Sequence, residues 1–161
     1  MPAVHTENAC ATGSSALFTA LDFVQSGRGR IALVAGAEKM TAAEAEVVND
    51  ALLTASYRKE EEQAGSFAGV FAGIARDYFE RYGDHRDTLA RIAAKNHRNG
   101  VGNPYAHLRK DLGFEFCAEV SDRNPFVADP LRRTDCSLVS DGAAALVVAS
   151  ADVAATAPRA V

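Results

Sequence analysis

A helical apolar pattern followed directly by a short, unbroken apolar run is the feature that most constrains how this chain folds. Residues 14–26 place apolar side chains at helical spacing, at Leu17, Ala20, Leu21 and Val24. Residues 31–36 (IALVAG) then have the length and the apolar continuity of a strand buried on both faces. A helix that leads into such a strand predicts an α/β fold.

The rest of the chain adds further helices, a second strand and a long irregular region. Apolar periodicity predicts helices over residues 66–82 and 87–99, and a weaker one over residues 42–53. Residues 143–150 are apolar and predict a strand. Residues 100–140 carry repeated X–Pro turn signals, which predict mostly loop.

Composition argues against several classes of protein. The net charge of −4 does not suit a general nucleic-acid binder, and no apolar run reaches the roughly 18 residues of a membrane span. The first residues lack the basic and apolar parts of a signal peptide. The cysteines (Cys10, Cys117 and Cys136) are too few and too scattered for a disulfide framework, and the histidines show no metal-site spacing. A reducing, cytoplasmic location is therefore the default expectation.

Cys10, which precedes the first predicted helix, is the main candidate for chemistry. A free cysteine is usually a buried and unreactive residue. A helix N-terminus, however, stabilises the thiolate form of a nearby cysteine. Thr12 or Ser14 can cap this helix, Gly13 permits a tight turn, and the small neighbouring residues leave room for a substrate. Cys10 is thus either an inert core thiol or a nucleophile.

Five short segments form a recognisable series along the chain. They are residues 7–17 (ENACATGSSAL), 35–41 (AGAEKMT), 94–106 (AKNHRNGVGNPYA), 127–137 (VADPLRRTDCS) and 140–146 (SDGAAAL). In order, they resemble the nucleophile segment, the GxExM element, the KNH…NPxA region, the VADPL…DC motif and the SDGAAA segment of thiolases. The resemblance covers nearly the whole chain and is to the sterol-carrier-protein and lipid-transfer branch of that superfamily.

The resemblance implies a fold and an activity. The chain would be an incomplete N-terminal half of the thiolase-like α/β fold, with the nucleophile helix, two core strands and a helical or loop insertion over about residues 41–140. The implied activity is that of a transferase of lipid metabolism, an acetyl-CoA acetyltransferase-like acyltransferase. By the match, Cys10 accepts the acyl group as a thioester. Acyl-coenzyme A is then a substrate, and no permanently bound cofactor is expected.

The resemblance also implies machinery outside these residues. The family's activating histidine, oxyanion-hole histidine or asparagine and second catalytic cysteine belong to a C-terminal domain that this sequence lacks. Residues 2–8 match the strand that leads into the nucleophile, and two earlier strands are missing. Either the chain is truncated or a partner supplies the remainder, so we expect weak activity in isolation and a homodimer, other homo-oligomer or complementary subunit.

Other candidate residues have weaker support. Ser66 and Phe67 lie where the family's covering loop lines the pantetheine channel, although they are equally well explained as helix-start and core residues. His97 can touch a substrate carbonyl or a coenzyme A phosphate, but a helix-capping role is favoured. Two basic pairs, Arg109–Lys110 and Arg132–Arg133, can meet phosphates or can simply be solvated.

Three alternatives to an acyltransferase stay open. Lipid-transfer-type relatives include retro-aldolases that cleave carbon–carbon bonds, and the residues that distinguish them lie outside this chain. The chain can also be a non-catalytic module for acyl-CoA binding or assembly. A truncated reading frame without activity is the third possibility.

Overall fold

The computed structural model describes residues 3–158, which contain seven α-helices and four β-strands. The helices are α1 (Thr12–Gln25), α2 (Ala45–Leu53), α3 (Arg58–Glu61), α4 (Phe67–Tyr82), α5 (Arg86–Val101), α6 (Gly113–Ala118) and α7 (Ala151–Ala154). The strands are β1 (Ile31–Glu38), β2 (Phe126–Ala128), β3 (Leu131–Arg132) and β4 (Gly142–Ala149). Short 3₁₀ turns occupy Ala9–Ala11, Glu62–Ala64 and Arg133–Asp135.

The helices with the clearest apolar periodicity are confirmed. α1, α4 and α5 match the predicted segments 14–26, 66–82 and 87–99 to within a few residues, and β1 and β4 match the two predicted strands. Gly27 (φ +72°) and Gly83 (φ +91°) follow the ends of α1 and α4 with positive φ, which glycine adopts at little steric cost.

The chain divides into two compact units. The first comprises the residues up to Met40 together with those from Asp141 onward. The second is Thr41–Ser140, so it is inserted in sequence between β1 and β4.

The first unit is built on an antiparallel pair of strands. β1 and β4 run in register from Ile31 opposite Ala149 to Glu38 opposite Gly142, and α1 packs against them. At one end of the pair the Nζ of Lys39 lies 2.7 Å from Oδ2 of Asp141. The pairing therefore brings together two of the family-like segments, residues 35–41 and 140–146.

Two expectations for the first unit are wrong. β1 is not buried on both faces, because among residues 3–158 only α1 covers the sheet extensively, and Ile31 and Leu33 are 58% and 61% exposed. Residues 3–8 form no strand, since among the described residues no neighbouring strand bonds to them; Pro2 lies outside the described residues.

The second unit has its core between α5 and α6. Ala90 and Ala93 of α5 and Cys117 of α6 are buried there, with Leu112 and Phe114 packed against them. At the start of α4, Gly69 is buried because the preceding turn approaches closely: a Cβ at this position would lie 2.0 Å from the carbonyl oxygen of Ala64.

The expectation that residues 100–140 are mostly loop is confirmed, because helices, strands and 3₁₀ turns take up fewer than half of them. Two buried polar side chains organise this region. The Asn124 amide nitrogen donates to the carbonyl oxygens of Phe116 (3.1 Å) and Glu119 (3.0 Å) at α6, and its oxygen accepts from the backbone N–H of Thr134 (3.0 Å). Arg132, 2% exposed, forms an ion pair with Asp135 (3.0 Å). These bonds hold α6, the β2–β3 hairpin and the following 3₁₀ turn together.

Candidate active site

Cys10 lies in the middle of a tight turn at the start of α1. The turn is the 3₁₀ segment Ala9–Ala11, and α1 begins at the next residue. Ala9 has φ +46°, a left-handed conformation that is uncommon for a residue with a Cβ. Cys10 is exposed, so the interpretation of this residue as an inert core thiol is wrong.

Glu7, which precedes this turn in sequence, and Thr12, which follows it, both form hydrogen bonds with it. One carboxylate oxygen of Glu7, Oε1, accepts from the backbone N–H of Ala9 at 2.6 Å and lies 3.0 Å from the hydroxyl of Thr12. The Thr12 hydroxyl oxygen is also 2.7 Å from the carbonyl oxygen of Ala9. The N–H of Ala9, followed by the Thr12 hydroxyl, holds the pKa of the Glu7 carboxyl below its usual range.

Asn8 completes the connection between the turn and α1. Its backbone N–H donates to the Thr12 hydroxyl (2.8 Å), and its side-chain amide donates to the hydroxyl of Ser15 (3.0 Å) one turn into the helix. Neither Thr12 nor Ser14 caps α1 as expected, because the N-cap position is Ala11 and the hydroxyl of Thr12 bonds back to the turn.

This arrangement suits a nucleophile. The first N–H groups of an α-helix have no partners within the helix, and the helix dipole places partial positive charge at that end. α1 has 14 residues, and it presents this end directly after Cys10.

The other candidate residues lie in the second unit. Ser66 is the N-cap of α4, and its hydroxyl oxygen accepts from the backbone N–H of Gly69 at 2.9 Å. Phe67 is adjacent to it and packs edge-to-face on Phe71, with ring centroids 5.2 Å apart. His97 is half-buried on α5. The structure thus brings Ser66 and Phe67 together at one helix start and places His97 on a separate helix.

One of the basic residues expected to meet phosphates is used inside the fold. All the side-chain nitrogens of Arg132 donate within the protein: Nε to Asp135, Nη1 to the carbonyl oxygen of Ala118 (2.6 Å) and Nη2 to that of Arg86 (2.8 Å). A phosphate-binding role for Arg132 is therefore wrong. Arg109, Lys110 and Arg133 are exposed.

The remaining cysteines differ from Cys10. Cys117 is buried, and burial raises the pKa of its thiol. Cys136 is partly buried, and burial raises the pKa of its thiol as well. A thiol with a raised pKa is a poor nucleophile at neutral pH. Both thiols are therefore better suited to a structural role than to nucleophilic chemistry.

Residues 3–158 contain neither a clustered metal site nor a membrane-spanning helix. These residues contain no group of three or more histidine, cysteine or acidic side chains that could hold a metal ion. None of the helices in this part of the chain combines the length and the apolar character needed to cross a membrane.

Residues 1–152 match the thiolase N-terminal domain. This chain therefore belongs to the thiolase family.

The relatives that resemble this chain include proteins with three different names. The chain is 39% identical to an acetyl-CoA acetyltransferase of Methanothermobacter thermautotrophicus, over 96% of this chain and 39% of the relative. It is 32% identical to sterol carrier protein 2 of Oryctolagus cuniculus, over 93% of this chain and 28% of the relative. It is 31% identical to the benzoylsuccinyl-CoA thiolase subunit BbsB of Thauera aromatica, over 95% of this chain and 38% of the relative. The chain thus spans less than half the length of these relatives.

Sequence reasoning identified Cys10 but missed the groups that hold its turn. Glu7 was included only as part of a family-like segment, and Ala9 only as a small neighbour. A positive φ at an alanine has no signal in a single sequence, because the residues that favour this conformation are glycine and asparagine. A glutamate three residues before the cysteine and a threonine two residues after it are the only local hint.

Proposed function

We propose that this chain carries the nucleophile of a thiolase-type acyltransferase and that Cys10 forms a thioester with the acyl group of an acyl-coenzyme A. The observation that carries the proposal is the exposed Cys10 in a tight turn at the start of α1. Family membership and the relatives named acetyl-CoA acetyltransferase support the class of reaction. Coenzyme A enters as part of the substrate and is not held permanently.

The reaction divides into two transfers. The Cys10 sulfur, having lost its proton, attacks the carbonyl carbon of the acyl thioester; a carbon–sulfur bond forms, the bond to the coenzyme A sulfur breaks, and the released thiolate takes up a proton. A second thiol or a carbanion then attacks the Cys10 thioester and accepts the acyl group, and the Cys10 sulfur regains a proton. Covalent catalysis of this kind splits one difficult step into two easier ones.

The proposal needs groups beyond Cys10. The acid/base and oxyanion-stabilising groups would come from a second thiolase domain, which a complementary subunit would supply. The relative from Thauera aromatica, which is named as a subunit, supports this arrangement. Ser66, Phe67 and His97 would contribute contacts to acyl-coenzyme A. Without the added groups we expect slow turnover, because loss of one oxyanion donor typically lowers kcat by about 10²–10³.

Exposed apolar surface on the first unit supports association with another chain. Phe18, Leu33 and Val147 are 65%, 61% and 66% exposed. In the part of the chain that the structure describes, β1 and β4 also form a sheet of only two strands, whose outer edges bond to no further strand. Open sheet edges and apolar patches recruit partner chains.

A second candidate function is a non-catalytic module that binds acyl-coenzyme A in lipid transfer. The relatives named sterol carrier protein 2 and non-specific lipid-transfer protein-like 2 favour it. In this case Cys10 would not be acylated. A retro-aldolase of the lipid-transfer type is an alternative activity within the same family, and this chain would be part of such an enzyme too.

Release of coenzyme A tests the proposed acyl transfer. On incubation with acetyl-CoA in excess, the chain should release free coenzyme A in an amount equal to the protein. The variant Cys10→Ser should release none above background, whereas the matched control Cys136→Ser should behave as the unmodified chain. Equal release by the Cys10→Ser variant and the unmodified chain would contradict the proposal and favour the binding module.

A further inference from the structure

We propose that Glu7 is a positioning residue for Cys10: its carboxylate fixes the left-handed turn that presents the thiol at the start of α1. This inference rests on the proposed role of Cys10 as nucleophile. It assigns a function to a side chain that the acyl-transfer chemistry itself does not use.

The Glu7 carboxylate bonds to the one residue of the turn that has an unusual backbone conformation, Ala9. The Ala9 backbone must hold φ +46° for Cys10 to occupy its position in the turn, and an alanine has no intrinsic preference for this conformation. The Glu7 carboxylate lies 2.6 Å from the N–H of that same residue. A hydrogen bond from a backbone N–H to an ionised carboxylate is about twice as strong as a neutral one, so it can hold a conformation that the alanine would otherwise leave.

The same carboxylate oxygen of Glu7 also connects the turn to α1. Oε1 of Glu7 is also 3.0 Å from the Thr12 hydroxyl, and Thr12 is the first residue of α1. The carboxylate therefore bridges the residue before Cys10 and the second residue after it. Loss of the carboxylate would remove both of these contacts together, and the bonds of Thr12 to Ala9 and Asn8 would remain.

The carboxylate is not suited to be the general base. The N–H of Ala9 and the Thr12 hydroxyl hold the pKa of the Glu7 carboxyl below the usual range of glutamate. His5, the titratable group nearby, lowers this pKa as well. A carboxylate of lowered pKa is a weaker proton acceptor. One of its two oxygens, Oε1, also already accepts from the N–H of Ala9. Positioning, and not proton transfer, is what this geometry supports.

A dependence on pH follows from the sign of this effect. Because the pKa of Glu7 is lowered in the folded chain, its hold on the turn is complete above the ordinary pKa of glutamate. The hold is lost as the pH falls through the lowered value. A glutamine in its place keeps an acceptor oxygen without the charge, so the turn should persist in weaker form and without this acid-dependent change.

The test compares Glu7→Ala and Glu7→Gln with the unmodified chain, and uses Asp22→Ala and Asp22→Asn as matched controls. Asp22 is an exposed acidic residue on α1, away from the turn. The first readout is the backbone amide signal of Ala9 in NMR spectra recorded over a pH series. It should move with pH in the unmodified chain and in both Asp22 variants, and should not titrate in either Glu7 variant.

The second readout separates positioning from mere exposure of the thiol. Acylation of Cys10 by acetyl-CoA should slow by about tenfold or more in Glu7→Ala, since displacement of a reacting group by 1 Å can cost about 10²-fold. The variant Glu7→Gln should recover most of this loss. Alkylation by iodoacetamide needs an accessible thiolate but no positioned acyl thioester, so it should change less than acylation does.

The outcomes distinguish the two proposals. If the unmodified chain is not acylated at Cys10, the proposed function fails, and the Ala9 signal still decides whether Glu7 holds the turn. If the Ala9 signal does not titrate in the unmodified chain, the role of Glu7 is refuted. Acylation of Glu7→Ala at the rate of the unmodified chain refutes it as well.

Discussion

Replacement of Arg132 by methionine should strongly destabilise the second unit. The guanidinium is 2% exposed and is the partner of Asp135, whose side chain is 3% exposed. The variant Arg132→Met would leave that carboxylate buried without its cation. The carbonyl oxygens of Ala118 and Arg86 would also lose their donors.

The expected size of the effect follows from these contacts. Removal of one partner from a buried ion pair typically costs about 3–5 kcal/mol, because the other charge stays desolvated. Asp135 retains one bond, from the backbone N–H of Arg132 at 2.9 Å, which the substitution does not remove. We therefore expect a loss of about 4 kcal/mol in the free energy of unfolding. A typical domain has only about 5–15 kcal/mol in total.

Tyrosine fluorescence during a urea titration measures this effect in the relevant unit. The chain has no tryptophan, and its four tyrosines all belong to the second unit: Tyr57, Tyr78, Tyr82 and Tyr105. The matched control is Arg133→Met, since Arg133 is exposed and should change stability by no more than about 0.5 kcal/mol. A loss of less than about 1 kcal/mol in Arg132→Met would refute the view that this ion pair organises the region.

Three further predictions concern other parts of the chain. Gly69→Ala should lower the free energy of unfolding of the second unit by about 1–3 kcal/mol, measured by the same titration, because the added Cβ overlaps the Ala64 carbonyl. The chain should sediment as a dimer or a larger species at micromolar concentration, and a single sharp monomer boundary would contradict this. The backbone N–H of Arg86 (2.9 Å) is the main cause of the lowered pKa of Asp84. The Asp84 carboxylate therefore stabilises the fold at neutral pH, and this contribution is lost as the pH falls through the lowered pKa of Asp84. The variant Asp84→Asn should accordingly lose less stability in acid than the unmodified chain.

Elements with a local physical cause could be predicted from the sequence. α4 has a regular apolar stripe, a serine at its N-cap and a glycine at its end, and all three signals lie within the helix or next to it. α1 likewise has an apolar stripe and a glycine after its end, although the predicted caps were wrong. These two signals were enough for the expectation that Cys10 sits at a helix start. β1 and β4 were found from their apolar runs, but their pairing across the inserted unit could not be derived, because register depends on contacts between distant residues.

Elements held by distant polar contacts could not be predicted. Arg132 bonds to the carbonyl oxygen of Arg86, which is 46 residues away in sequence, and this contact helps to order a region that reads as loop. From the sequence alone, Arg132 and Arg133 are expected to be an exposed basic pair. In the fold, Arg132 is buried. The burial of β1 was overestimated for a related reason: an apolar run indicates that a strand can be covered on both faces, but not that covering layers are present.

The site of acylation tests the central claim most directly. After incubation with acetyl-CoA, the chain is digested, and its three cysteine-containing peptides are analysed by mass spectrometry. The account predicts an acetyl thioester on Cys10, which is exposed, and none on Cys117 or Cys136, whose thiols burial disfavours as nucleophiles. Acetylation of Cys117 or Cys136 with Cys10 unmodified would contradict the account.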